Sequence, residues 1–313
     1  MRGLMVVNPQ ATSTSPRVTD VIVQAFTSEL HLQVEFTAHR GHGMELGRMA
    51  RTNNMDVVIT LGGDGIVNEV INGLLLDGAN PTGPMLATVP GGSANVFARS
   101  IGLAVNPVEA AGQLLQALRT GSARTIGLGT VQVLNEQSVR WFATNAGMGL
   151  DAEVIAAMER DRSSGRAATP GRYVAIALQQ YITRTDRRRP HLTVERPSGP
   201  PITGVYLAIV QNTAPWTYIG SLPVNPCPAA SFDTGLDLFA LRSLTTTSTA
   251  RALQRMLTGR RSGSSGNMVI WHDQAQLRVQ ADQSIALQVD GEAAGEVSGI
   301  QLTAVPNALR IVC

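Results

Sequence analysis

Three short stretches of this 313-residue chain combine residue types that could handle a phosphate group. In the first, the apolar run Val57-Val58-Ile59-Thr60-Leu61 leads into Gly62-Gly63-Asp64-Gly65, and Ile66-Val67-Asn68-Glu69-Val70-Ile71 opens a helical pattern directly after. Glycines in such a turn allow positive φ and close approach of backbone to a ligand, while the next helix aims N–H groups and a partial positive charge at it. Asp64 would repel a bare polyphosphate, so the turn reads as a site for a nucleotide carrying Mg²⁺. The second stretch, Val89-Pro90-Gly91-Gly92-Ser93-Ala94-Asn95, again follows a strand pattern and precedes a helical one with Val96, Phe97 and Ile101. Ser93 and Asn95 could donate hydrogen bonds there. The third, Leu287-Gln288-Val289-Asp290-Gly291-Glu292, is a strand closing on a polar turn. A carboxylate in it could take the proton of an attacking hydroxyl if the fold returns it to a nucleotide. Each stretch alone also fits ordinary turn chemistry; two glycine loops at this spacing favour the nucleotide.

The surrounding pattern is one that can place such loops together. Up to about residue 126, strand-like runs at Leu4 to Val7, Leu32 to Phe36, Val57 to Leu61 and Met85 to Val89 alternate with helical patterns. Ser15 and Pro16 start one helix, and Asn106-Pro107-Val108-Glu109 starts another that Gly121 closes. Alternation of this kind predicts an α/β domain with a parallel sheet covered on both faces and ligands at the carboxyl ends of its strands. Beyond it the runs Val131 to Leu134, Val139 to Thr144, Leu192 to Glu195, Val205 to Gln211, Leu236 to Leu241, Gln276 to Val279, Ile285 to Val289 and Ile300 to Ala304 predict antiparallel β structure. Helices are expected at about Ala152 to Arg160 and Thr247 to Leu257, and flexible loops at Ser163 to Gly165 and Ser262 to Gly266.

Composition narrows the chemistry. With 43% hydrophobic and 15% charged residues the chain reads as a soluble globular protein, and a net charge of +2 is too mild to argue for nucleic acid. All 25 Lys+Arg positions hold arginine. A Walker-type loop, a protein kinase and a Schiff-base enzyme each use a lysine, so those three classes are excluded. If phosphate is transferred, backbone amides, Mg²⁺ and arginine must neutralise its charge. Cys227 and Cys313 are too few for a disulfide framework and suggest a reducing cytosol. No apolar run reaches the roughly 20 residues of a membrane span.

Together these motifs resemble the diacylglycerol kinase catalytic family, which includes bacterial soluble lipid kinases, sphingosine kinases and ceramide kinases. The resemblance runs through Asn8-Pro9, Thr37, Gly62 to Gly65 with Asn68-Glu69, Pro90 to Asn95 with Phe97-Ala98-Arg99, Asn145-Ala146-Gly147-Met148-Gly149-Leu150-Asp151-Ala152, and Asp290-Gly291-Glu292. It implies a nucleotide-binding domain akin to phosphofructokinase and NAD kinase over 1–126, rejoined by 303–313. It further implies a lipid-substrate β-sandwich over 127–302, ATP in the cleft between the two, and γ-phosphate transfer to a lipid hydroxyl, most readily diacylglycerol to phosphatidic acid. By the same resemblance the nucleotide contacts are Asn8, Thr37, Gly62, Gly63, Asp64, Gly65, Ile66, Val67, Asn68, Glu69, Gly92, Ser93 and Asn95. Glu292 matches the proton acceptor of bacterial members and Asp64 is similar to the position of the base in sphingosine kinases, so the two compete for that role. The reading favoured is Glu292 as base and Asp64 as organiser of Mg²⁺-ATP, with Asp290 also among the catalytic residues.

The chain departs from the family pattern at several places. Ile66 replaces the usual threonine, Thr12 a glycine, and Val96 and Gly127 two aspartates, while Asp233-Thr234-Gly235-Leu236-Asp237 is an altered form of a loop that holds a structural Mg²⁺ in some members. A lipid substrate would be met at a membrane surface, for which the chain offers Arg184, Arg187, Arg188 and Arg189 after Tyr181, and Arg251, Arg255, Arg260 and Arg261. Trp216 and Tyr218 either line an acyl pocket or pack in the sandwich. A cytoplasmic protein peripheral to the inner face of the membrane is expected, and a homodimer is compatible with it. The rival readings are an NAD kinase-like or other soluble-alcohol kinase and a catalytically silent nucleotide- or lipid-binding protein. A dinucleotide dehydrogenase fits less well, since Asn8-Pro9-Gln10-Ala11-Thr12 lacks the glycines it needs.

Overall fold

The computed structural model describes residues 1–11, 15–163, 189–259, 264 and 266–313, with only the backbone for 161–163. Thr12, Gly165, Tyr181, Arg184, Arg187, Arg188, Arg260, Arg261 and Ser262 lie outside the described residues. The chain forms two units, Met1–Leu128 with Pro306–Cys313, and Gly129–Val305.

The first unit is the α/β one. Its strands are β1 (Arg2–Val7), β2 (His31–Phe36), β3 (Val57–Gly62) and β4 (Met85–Pro90). Its helices are α1 (Pro16–Thr27), α2 (His42–Thr52), α3 (Asp64–Leu74), α4 (Val96–Ser100) and α5 (Pro107–Thr120). The strands run parallel in the order β4-β3-β1-β2. Beside β4 lies the end of the last strand of the chain, paired in parallel through Ile311 and Leu86. Every residue of β3 is buried, as expected of a parallel strand covered on both faces. On one face Met5, Val7, Ile59, Leu61 and Val89 form a core with Ile22 and Phe26 of α1 and Leu114 of α5. Local signals set the helix ends. Ser15 Oγ accepts Val18 N–H at 3.4 Å, Asn106 Oδ1 accepts Val108 and Glu109 N–H at 2.9 and 3.3 Å, and Gly121 closes α5 at φ 70°.

Register is what brings the candidate residues to one edge. Val7 pairs with Phe36 and with Leu61, and Leu61 with Val89, so the four strands finish level. Asn8, Thr37, Gly62 to Gly65 and Gly91 to Asn95 therefore all follow carboxyl ends of adjacent strands.

The second unit is antiparallel. After β5 (Ala123–Val133) come β6 (Val139–Phe142), β7 (Asn145–Gly149), α6 (Leu150–Ser163), β8 (Leu192–Glu195), β9 (Ile202–Val205) and β10 (Leu207–Gln211). These are followed by the hairpin β11 (Thr217–Ile219) and β12 (Leu222–Val224), then β13 (Leu236–Leu241), a helix α7 (Thr246–Thr258), β14 (Met268–Gln274), β15 (Gln276–Val289) and β16 (Glu292–Val312). β15 bends the sheet into a sandwich: its first half pairs with β8 and its second half with β7. Gln276 to Val289 is thus one strand where the sequence predicts two. The interruption corresponds to the exposed run Asp282-Gln283-Ser284, where the apolar alternation lapses and the register shifts. Alternate residues of β10 and β13 enter two cores. Ala208, Val210, Leu236 and Leu238 face the sandwich interior, while Leu207, Ile209, Phe239 and Leu241 meet Val224, Cys227, Ala252 and Met256. Among the described residues no helix is long and apolar enough to cross a membrane.

Candidate functional site

In the first unit the two glycine loops are built against each other. Gly91 N–H donates to Gly62 O at 2.7 Å. A Cβ on Gly92 would lie 2.6 Å from Gly63 Cα, and one on Gly91 would lie 3.0 Å from Gly62 Cα. Glycine is required here for backbone-to-backbone approach. The sequence suggested positive φ, but Gly62 is in extended β3 and Gly63 has φ −89°. Gly92→Ala is accordingly expected to cost about 1–3 kcal/mol of stability by overpacking, measured by urea unfolding.

Side chains then lock the loops. Asp64 begins α3, and its carboxylate accepts Val96 N–H at 3.0 Å and Phe97 N–H at 2.9 Å, capping α4 across from the other loop. Asn95, left-handed at φ 48°, accepts Gly92 N–H and donates to Gly92 O, each at 2.8 Å, so its polar atoms shape the loop. Ser93 stands exposed at the loop tip. The side chains of Ile66 and Val67 are buried, and Val67 N–H makes the first bond of the helix, to Gly63 O. The N–H groups of Gly65 and Ile66 precede that bond and point out of the helix start. Asn68 is buried at 2% exposure beside Asn72, and Glu69 caps α2 by accepting Gly41 and Gly43 N–H at 2.7 and 2.9 Å. Asn8 accepts Gln10 N–H, and its Cβ is 3.2 Å from where a Gly62 Cβ would be. Thr37 N–H donates to Val7 O. The edge therefore presents backbone amides, hydroxyls and one carboxylate.

In the second unit Asp290 and Gly291, at φ 49° and 77°, form the two-residue turn between β15 and β16, flanked by the pair Val289 and Glu292. Asp290 is buried, and its carboxylate accepts Ala143 N–H, Thr144 N–H, Thr144 Oγ and Asn145 N–H at 2.7–3.0 Å. That is the position of a scaffold for the turn. Glu292 follows it and pairs with Arg140 at 3.1 Å, with about a quarter of its side chain exposed, 24%. Nothing in the spacing of the sequence links Arg140 to Glu292; Arg140 lies in β6, just before the residues Ala143 to Asn145 that Asp290 of the turn holds.

Behind the turn lies a polar cluster within the core. Asp151, at the start of α6, is 5% exposed, and Gln288 donates to its Oδ2 at 2.8 Å. Burial pushes its carboxyl up to about 7, against the lesser effect of that bond. Because the folded value lies above the ordinary 3.8, the stability tied to the neutral acid is full below pH ~4 and is lost as pH rises through about 7, a change of about 4 kcal/mol. Asp151→Asn should hence gain on the parent in urea unfolding between pH 4 and 7, with the gap level above pH ~8.

The acidic loop at Asp233 to Asp237 is held by protein donors. Asp237 is 1% exposed, and its oxygens contact His272 Nδ1 at 2.7 and 2.9 Å and accept Asp273 N–H at 3.0 Å. Desolvation raises its pKa, partly countered by those bonds. Asp233 meets Ser231 instead, and among the described residues no three acids, histidines or cysteines gather as a metal site. The residues present do not fit a structural Mg²⁺. Two surface expectations also change. Arg255 is 9% exposed beside the second core and Cys227, so it is not part of a basic surface cluster, and Trp216 packs partly buried on that core.

The sequence profile of the diacylglycerol kinase catalytic domain matches residues 2–131, and that of the YegS C-terminal NAD kinase beta sandwich-like domain matches residues 144–313, more than half of the chain. A Chromohalobacter salexigens protein named probable lipid kinase YegS-like is 39% identical over 116 residues, 37% of this chain and 36% of that protein. The stretch shared with this relative is thus just over a third of its length. Solved structures from Bacillus anthracis str. Sterne, one titled as a diacylglycerol kinase, cover 99% of this chain and 96% of theirs, with TM-scores of 0.70 to 0.76 and 17 to 20% identity. An Archaeoglobus fulgidus NAD kinase in complex with ATP covers 100% of this chain and 94% of its own at a TM-score of 0.53 and 13% identity. Likenesses at such identities concern the fold. With both profiles matched in order on an α/β unit and a β-sandwich, the chain belongs to the diacylglycerol kinase catalytic-domain family, in the form that carries a YegS-type C-terminal domain.

Proposed function

We propose that the chain is an ATP-dependent lipid kinase that moves the γ-phosphate to a lipid hydroxyl, with diacylglycerol as acceptor and phosphatidic acid as product. The observation that carries this reading is the turn from β3 into α3, joined to the second glycine loop at 2.7 Å and braced by Asp64, which turns the N–H groups of Gly65 and Ile66 outward for polyphosphate without any lysine. Membership of the family and the names of its lipid-kinase relatives support the acceptor class.

Phosphoryl transfer needs placement and charge compensation more than covalent help from protein. The N–H groups of Gly65 and Ile66 would hold the phosphates, with Asn8, Thr37 and Ser93 supplying polar contacts around them. The donor set suits a magnesium ion that arrives on the nucleotide. Asp64 is the carboxylate at the turn, and it would hold such an ion through the ion's bound water. Such an ion would neutralise charge on the bridging oxygens. The lipid oxygen attacks the γ-phosphorus, the bond to the β-phosphate oxygen breaks, ADP leaves, and the hydroxyl proton passes to Glu292, whose carboxylate Arg140 orients.

The test is ADP release over vesicles of diacylglycerol, vesicles with a sphingoid base, and soluble alcohols including NAD. Release that depends on diacylglycerol is expected. Release on NAD alone would establish a soluble-alcohol kinase, and nucleotide binding without release on any acceptor would establish a silent binding protein.

A further inference from the structure

We propose that Asp151 is a positioning residue for this reaction: acting through Gln288, it fixes the turn that carries Asp290 and Glu292. The inference deepens the lipid-kinase reading and rests on it for its catalytic consequence. Its structural half stands on the second unit alone.

Gln288 is the residue of β15 directly opposite Gly147 of β7. Its amide nitrogen donates to Asn145 Oδ1 at 2.7 Å and to Asp151 Oδ2 at 2.8 Å, and its Oε1 accepts Gly291 N–H at 3.0 Å. The two amide hydrogens thus go to two acceptors, which leaves one orientation for the carbonyl. Turning the amide over would set its oxygen against both acceptors and its NH₂ against the Gly291 N–H. The acceptor pair on one side thereby decides what the turn meets on the other.

Space is reserved for this contact. A Cβ on Gly147 would lie 2.2 Å from Asp151 Oδ2 and 3.0 Å from Gln288 Nε2, so any larger residue there would part them. Asp151 is also costly where it stands: it is 5% exposed, and its Oδ1 is buried with no hydrogen-bond partner. Packing alone would favour an apolar residue at that place. The same turn is gripped from its other side by Asp290 on Ala143, Thr144 and Asn145, and Asp290 N–H donates to Asn145 O at 2.8 Å. Asn145 belongs to both grips, and Glu292 is the next residue after the turn. The segment Asn145 to Asp151 thereby supplies an acceptor, a gap and a second acceptor, each spent on Gln288.

The experiment pairs amide exchange at Gly291, read by NMR on the full chain without substrate, with kcat and KM for ATP. In Asp151→Leu and Gln288→Leu the Gly291 amide should exchange about tenfold faster or more, the loss of one part-buried hydrogen bond. By the displacement of Glu292, kcat should fall about 10- to 100-fold at unchanged KM for ATP. Asp151→Asn, which keeps an acceptor for Gln288, should stay within about twofold of the parent in both readouts. Should Asp151→Leu not fold, Gln288→Leu and Gly147→Ala report on the same contact. Parental exchange at Gly291 in the leucine variants, or an Asp151→Asn as impaired as Asp151→Leu, overturns the proposal. A parent without turnover would refute the kinase reading, while the exchange result still decides whether Asp151 holds the turn.

Discussion

Asp290→Ala is expected to lower the unfolding free energy by about 3–5 kcal/mol, measured by urea denaturation. The substitution removes the acceptor from three backbone N–H groups and one hydroxyl in a place where water does not reach, and it puts a Cβ residue without polar reach at φ 49°. Against a total stability of roughly 5–15 kcal/mol that is a large fraction. Asp290→Asn should cost less, because one oxygen keeps the three bonds made by Oδ1 and asparagine tolerates the left-handed region, while its NH₂ opposes only Ala143 N–H. A loss below about 1 kcal/mol in the alanine variant would show that the carboxylate does not scaffold the turn.

Glu292→Gln is expected to reduce kcat by about 10²- to 10⁴-fold with little change in affinity for ATP or in stability. The amide retains size and can still meet solvent and Arg140, but it cannot take the hydroxyl proton. Arg140→Gln separates the two roles of its side chain. Its ion pair with Glu292 is partly exposed, 33% and 24%, so its loss should cost under about 1 kcal/mol while kcat falls with the lost orientation. Asp64→Asn acts elsewhere. It exchanges one of two charge-assisted acceptors on α4 for a donor, so KM for ATP should rise together with a fall in kcat. Near-parental kcat in Glu292→Gln would remove that residue as base and leave Asp64 as the carboxylate to examine.

Much of the architecture is legible because the relevant forces are local. Ser15 and Asn106 announce helix starts through their own oxygens, and the apolar run of β3 states that it is buried on both sides. Where the sequence misleads, distant contacts decide. The glycines of the two loops look like licences for positive φ, yet they serve the approach of two backbones that lie nearly 30 residues apart. β15 looks like two strands because an exposed polar run and a register shift interrupt its apolar alternation, and the short strand β7, rich in glycine, carries little β signal. The site is legible as a set of motifs and opaque as a set of contacts. That Glu69 caps α2, that Asp64 caps α4, and that Arg140 meets Glu292 all depend on which elements become neighbours.

The most direct test follows the phosphate itself. The chain should be incubated with ATP labelled at the γ-phosphate and mixed micelles of diacylglycerol, with Glu292→Gln alongside. The label should appear in an organic-extractable phospholipid with the parent and be reduced by orders of magnitude with the variant. Label that stays on ATP, is released as inorganic phosphate, or moves only to water-soluble alcohols would contradict the account.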